Sequence, residues 1–244
     1  MELLKTLYSI NSKSGKEARI KELVCSYLNG KGVDISEDYF GNLFITKGQS
    51  REYPCIVAHL DEVHDVEKTT LVVEGENIYA TDAQGANVGC GADDKNGVWM
   101  ALKLLETKDV LKVALFVHEE KLNEEAGCRG SRACDLSWFD DTMCLLQCDR
   151  RGATDVVSVG KGEIALCEEG FIPYEILDRY GYSYTDGGRT DVVALRERGL
   201  KKNCCNISCG YYNAHKENEY TNFPQLCNAL DFVSNVVDYF LQQL

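Results

Sequence analysis

The chain is punctuated by short, nearly continuous apolar runs, and each stops at a histidine or a carboxylate. Pro54–Ala58 runs into His59-Leu60-Asp61, Val110–Val117 into His118-Glu119-Glu120, and Met143–Cys148 into Asp149. Runs of about four to eight apolar residues are what strands covered on both faces require. Apolar residues recur instead at helical spacing over Asn96–Leu105, Tyr174–Tyr180, Val192–Arg198 and Pro224–Leu244, and a further strand is expected at Asn206–Cys209. Strands alternating with helices predict an α/β chain, a three-layer α/β/α sandwich around a mostly parallel mixed central sheet.

Local signals fill in the pattern. Ser14-Gly15-Lys16-Glu17 reads as a capping box ahead of an amphipathic run to Leu28. Extended segments are expected over Val33–Phe40 and Asn42–Lys47, turning at Gly41-Asn42, and a hairpin over Leu71–Val73 and Ile78–Ala80. No repeat or Pro-rich linker divides the sequence, which has only three prolines, so one domain over residues 1–244 is expected.

Charge narrows the class of partner. The net charge of −13 argues against nucleic acid and anionic membranes, both of which demand clustered positive charge. Met1-Glu2-Leu3-Leu4-Lys5 does not open a secretory signal, and no apolar run approaches the roughly 20 residues of a membrane helix. The 12 cysteines are scattered, mostly beside apolar residues, with no Cys-x-x-Cys pair. They read as reduced, largely buried thiols of a cytoplasmic protein.

In such a sheet, functional groups gather in loops at the carboxyl ends of the strands. An imidazole at a strand end, as at His59, can ligate zinc through one ring nitrogen while the other donates to a carboxylate, and Asp61 is placed for that contact. Gly89-Cys90-Gly91-Ala92-Asp93-Asp94-Lys95-Asn96-Gly97 leads into a helix. Its adjacent aspartates have two readings: ordinary N-capping, or an Asp93 that bridges two metal ions while Gly91 and Gly97 allow tight turning and close packing. Glu119 and Glu120 repel each other at one strand end unless a cation or proton separates them, which suits one metal ligand and one general base, or else an exposed acidic loop. Asp149 ends the next strand, and His215-Lys216-Glu217-Asn218-Glu219 follows the strand at Asn206–Cys209. Tyr211 and Tyr212 either line a pocket or pack beneath the His215 loop; Arg150 and Arg151 either bind a substrate carboxylate or neutralise the acidic rim. His64 and His118 are expected near the site in outer or solvent-exposed positions, and Trp99 and Trp138 in the core.

Taken in order, these segments resemble the co-catalytic di-zinc exopeptidases, the superfamily of peptidase T, carboxypeptidase G-type enzymes and bacterial leucyl aminopeptidases. The resemblance rests on Ala58–Asp61, Gly91–Gly97, Phe116–Glu120, Gln147–Asp149, His215–Glu219 and the Gly187-Gly188-Arg189-Thr190-Asp191 stretch. It implies two zinc ions (cobalt or manganese in vitro), one held by His59, Asp93 and Asp149 and the other by Asp93, Glu120 and His215. It further implies Glu119 as general base on a water activated by the pair, and Asp61 as the group that orients His59.

Two departures from the family pattern stand out. The glycines of its Glu-Glu-x-Gly-x-x-Gly segment follow a second pair here, Glu124-Glu125, so that pair competes with Glu119-Glu120; strand spacing favours Glu119-Glu120. The spacing from Asp149 to His215 leaves no room for an inserted lid or dimerisation domain. The resemblance implies an aminopeptidase or di/tripeptidase acting on small peptides. The alternatives are an N-acyl amino acid deacylase and a non-catalytic metal-binding protein, and homo-oligomerisation stays open.

Overall fold

The chain is seen here as a computed structural model that describes residues 1–66, 68, 70–120 and 126–244. In chain order its elements are α1 (Glu2–Ser9), α2 (Ala18–Leu28), β1 (Val33–Glu37), β2 (Leu43–Lys47), β3 (Tyr53–His59), β4 (Thr70–Glu74), β5 (Asn77–Thr81) and β6 (Asn87–Val88). Then come α3 (Ala92–Thr107), β7 (Leu111–Phe116), α4 (Arg129–Ala133), β8 (Thr142–Arg150), β9 (Asp155–Gly160), β10 (Ile164–Ala165) and α5 (Tyr174–Tyr180). The chain finishes with β11 (Ser183–Asp186), α6 (Asp191–Glu197), β12 (Asn203–Ser208), β13 (Tyr211–Tyr212), β14 (Tyr220–Asn222) and α7 (Phe223–Leu241).

The main sheet runs β1-β2-β7-β3-β8-β12-β9-β10, with β11 beside β9. Its centre, β7-β3-β8-β12, is parallel throughout, and antiparallel strands flank it on both sides. The central strands are the apolar runs of the sequence. Every residue of β3 and β7 is buried, as a strand covered on both faces demands.

Alternate residues of β3 serve two separate cores. Ile56 and Ala58 pack with residues of α1, α2, α3 and α7, whereas Cys55 and Val57 pack with Val192, Val193 and Leu195 of α6. That two-residue alternation puts helices on both faces and makes the three layers. A small second sheet, β13-β14-β5-β4 with β6 beside β5, includes the expected hairpin. Tyr8 ties α1 to the rest by hydrogen bonds to Asn96 of α3 and Thr221 of β14.

The N-terminal capping expectation is corrected. The helix starts at Ala18 with Glu17 as its cap residue and no side-chain cap, and the Glu17 carboxylate accepts instead from the Gly15 N–H (2.8 Å). Gly15 adopts a left-handed backbone (φ 88°), so the chain turns before the helix and Ser14 cannot serve as its cap. All 12 cysteines are free and nine are buried. Trp99 is buried against Phe223, and Trp138 packs on Phe44 and Phe139. Among the described residues, no helix is long and apolar enough to cross a membrane.

Candidate metal centre

The carboxyl ends of β3, β7 and β8 converge with the start of α3, and the loop after β13 closes the group. His59 is the last residue of β3. Its Nε2 lies 3.2 Å from Asp93 Oδ1 and 3.4 Å from Asp149 Oδ1. Its Nδ1 donates to the Asp61 carbonyl (3.0 Å), which leaves Nε2 directed at the two aspartates.

Asp61 does more than sit behind His59. Its carboxylate is 3.6 Å from His59 Nδ1, and it accepts from the backbone N–H groups of Glu119 (2.9 Å) and Glu120 (3.0 Å). One buried carboxylate therefore ties the end of β3 to the turn after β7. Burial alone would raise the Asp61 carboxyl, but the His59 imidazole and the Glu119 amide outweigh it and hold it below the usual range.

The two adjacent aspartates divide the two roles between them. Asp94 is fully buried; its Oδ1 accepts from the Gly97 N–H (3.0 Å) and its Oδ2 from the His59 N–H (3.1 Å). Asp94 is the capping residue. Asp93 instead turns both oxygens to histidines: Oδ1 to His59, and Oδ2 to His215 Nε2 at 3.3 Å. Neither aspartate has helical backbone angles, so the regular helix begins beyond them. Gly91 supplies the preceding left-handed turn (φ 68°), and at Gly97 a side chain would meet the Cys148 carbonyl and the Asp94 carboxylate.

His215 lies in the loop after β13, itself in a left-handed conformation (φ 66°), half exposed, with Nε2 2.7 Å from Glu120 Oε1. Donor atoms of His59, Asp93 and Asp149 all lie within 4.8 Å of one another, and so do those of Asp93, Glu120 and His215. Asp93 is common to both groups. A third such group joins Glu119 to His59 and Glu120. Asp149 is fixed from behind: its Oδ2 accepts from Thr190 Oγ1 (2.7 Å) and Gln147 Nε2 (3.1 Å), and Asn206 braces its backbone on both sides.

The electrostatics mark this as a place short of positive charge. Burial pushes Asp149 up to about 6 and Glu120 up to about 7, and pushes Glu119 well above the usual carboxylate value. Hydrogen bonds that the His215 ring donates to the Asp93 and Glu120 carboxylates raise it to about 11. For His59, burial opposes the charged form, but the carboxylates of Asp149, Asp61 and Asp93 prevail and raise it. Crowded acids that retain protons, beside imidazoles that gain them, are what a divalent cation would replace. The donor set of imidazole nitrogens and carboxylate oxygens, without thiolates, fits zinc.

A cavity of about 320 Å³ opens onto these groups; Asp93, Glu119, Glu120, Asp149 and His215 line it together with Arg150, Arg151, Arg189, Thr190 and Tyr211. Tyr211 thus faces the cavity, whereas Tyr212 stacks on Tyr220. His118 sits against Phe40, and His64 lies over Gly89, its Nε2 without a hydrogen-bond partner among the described residues. The competing pair Glu124-Glu125 lies outside the described residues. Reading the sequence did not single out Asp94 as the cap, nor Thr190, Asn206 and Glu219 as supports. Only burial within the assembled fold distinguishes these from ordinary polar loop residues.

In sequence, no family model and no curated protein matches the chain. Solved structures match in fold. Aminopeptidase PepT from Bacillus cereus superposes with a TM-score of 0.81 at 14% identity, covering 97% of this chain and 96% of that one. A tripeptidase from Staphylococcus aureus gives 0.78 at 14% identity, covering 97% and 96%. The TET1 peptidase of Pyrococcus horikoshii, described as assembling into a tetrahedron or a large octahedral shell, gives 0.68 at 15% identity, covering 97% and 98%. The fold is therefore that of these peptidases. Hosting a fold does not by itself fix an activity.

Proposed function

We propose that this chain is a two-zinc hydrolase of peptide amides, an aminopeptidase or di/tripeptidase acting on small peptides from a single catalytic domain without a lid. The observation that carries the reading is Asp93, whose two carboxylate oxygens face His59 and His215 separately, each within a group of three donors. His59, Asp93 and Asp149 would hold one ion; Asp93, Glu120 and His215 the other. When bound, the pair supplies Lewis-acid polarisation of the scissile carbonyl and acidifies the attacking water.

The chain's own residues do the rest. Glu119, partly buried and lining the cavity beside the donor groups, takes a proton from the attacking water and delivers it to the departing amine. Water adds to the carbonyl carbon, the C–N bond breaks, and the products are a carboxylic acid and an amine. Asp61, through the Glu119 and Glu120 amides, keeps the base and its neighbour in register with His59. The likeness to a tripeptidase and to aminopeptidases supports the choice of amide; the compartment proposed is the cytoplasm. The assemblies described for TET1 support a homo-oligomer here as well.

The test is metal analysis together with a panel of di- and tripeptides and N-acyl amino acids. Zinc bound at two per chain, with peptide cleavage lost to a chelator and restored by zinc or cobalt, is the expected result. A protein that neither binds these ions nor cleaves any peptide would end the reading. Cleavage confined to N-acyl amino acids would replace it with deacylation.

A further inference from the structure

Three arginines line the cavity of an otherwise acidic protein, and their pairing is informative. If they were there to neutralise the acidic donors, they would form ion pairs with them. Among the described residues, none pairs with Asp93, Glu119, Glu120 or Asp149. Arg150 is held by Asp155, through Nε and Nη2 at 3.1 Å each. Arg189 is drawn to Glu197 (3.3 Å), an acid it shares with Arg132. Arg151 is exposed and makes no ion pair among the described residues, although it follows Asp149 by two positions and lines the same cavity.

The backbone beneath Arg151 is anchored on both sides. Its carbonyl accepts from Ser208 Oγ (2.8 Å), the next amide, Gly152 N–H, donates to the Tyr211 carbonyl (2.9 Å), and the Gly152 carbonyl accepts from the Gly210 N–H (2.8 Å). A fixed base carrying an uncommitted guanidinium at the mouth of a small cavity is suited to bidentate capture of a carboxylate.

We propose that Arg151 is a specificity residue that recognises a carboxylate on the substrate, close to the amide that is cut. The proposal rests on the peptide-hydrolase reading above. Arg151 shares the cavity of about 320 Å³ with Asp149, so the carboxylate is either the C-terminal group of a short peptide or an acidic side chain.

Two substrate pairs distinguish these sources. Leu-Gly against Leu-Gly-NH₂ varies only the terminal carboxylate; Glu-Gly-NH₂ against Gln-Gly-NH₂ varies only the side chain. In the zinc-loaded protein, at least one pair shows a kcat/KM preference for the acid of about tenfold, carried mainly by KM. That preference shrinks toward one in Arg151→Gln, is partly kept in Arg151→Lys, and weakens as salt is raised. Ratios near one in the native protein, or a ratio unchanged by Arg151→Gln, overturn the proposal. If none of the four peptides is cleaved, calorimetric titration with glutarate and glutaramide decides the arginine's role separately from the peptidase reading. Binding of glutarate over glutaramide that is lost in Arg151→Gln upholds it, and equal or absent binding refutes it.

Discussion

The carboxylate of Glu219 accepts hydrogen bonds from the backbone N–H groups of Gly91 (2.6 Å) and Asp93 (3.2 Å). Glu219 follows His215 by four positions, so the loop that presents one histidine also fixes the aspartate that faces it. It is 1% exposed, and burial pushes it up to about 7. Removing this support should loosen metal binding rather than abolish folding. Glu219→Ala should weaken zinc about 10- to 100-fold in chelator competition, with Glu219→Gln, which keeps one acceptor, in between. Unchanged affinity in both variants would show that Asp93 is held by other contacts.

Glu119→Gln should retain zinc and lose turnover by at least about 10²-fold, because an amide cannot shuttle the proton. Glu124→Gln should be nearly silent. The opposite pattern would assign the base to the second glutamate pair.

Zinc binding should release protons. In the metal-free protein His215 is raised to about 11 and Glu120 to about 7, so both carry protons near neutrality that the ion must displace. Apparent zinc affinity should therefore rise from pH 6 to pH 8, and calorimetry in buffers of different ionisation enthalpy should count the protons released. A pH-independent affinity would contradict the raised values.

The metal-free protein should lose stability as pH rises. Asp149, Glu120, Asp191 and Glu219 are raised to about 6, 7, 7 and 7, chiefly by burial. The folded state thus binds more protons than the unfolded one, and the stability this confers is complete below about pH 4 and lost as pH climbs through about 7. Asp61, Asp93 and Glu62 are lowered and act oppositely, losing stability as pH falls below about 4. Thermal melts of chelator-treated protein should therefore fall between about pH 5 and 7.5, with the slope reduced on adding zinc. A melting temperature that rises across that window would reverse the sign and refute the assignment.

Gly97→Ala should destabilise the fold by about 1–3 kcal/mol or more, since the added methyl meets the Cys148 backbone carbonyl of β8 and the Asp94 carboxylate. Denaturant unfolding measures this, and an unchanged midpoint would show that α3 can shift away from the sheet at little cost.

The sequence by itself determined the strands and the residues at their ends. Continuous burial of β3, β7 and Cys144–Cys148 of β8 leaves an apolar run that no other element explains, and the chain must turn polar where a strand leaves the core, so His59, Glu119, Glu120 and Asp149 were legible as strand-end residues. Helices such as Tyr174–Tyr180 were legible from their spacing alone. The short strands β9 to β11, β13 and β14, and the first helix, were not, because a few residues carry too little pattern to separate a strand from a loop. Asp93 was named as the bridging aspartate from the sequence, but the capping role of Asp94 was beyond it, since both are aspartates at one helix start and only backbone direction separates them. The same holds for Glu219, Thr190 and Asn206. Each is a polar residue that its own segment does not mark out, and its role arises from contacts 41 to 128 positions apart that exist only when strand ends and loops are brought together.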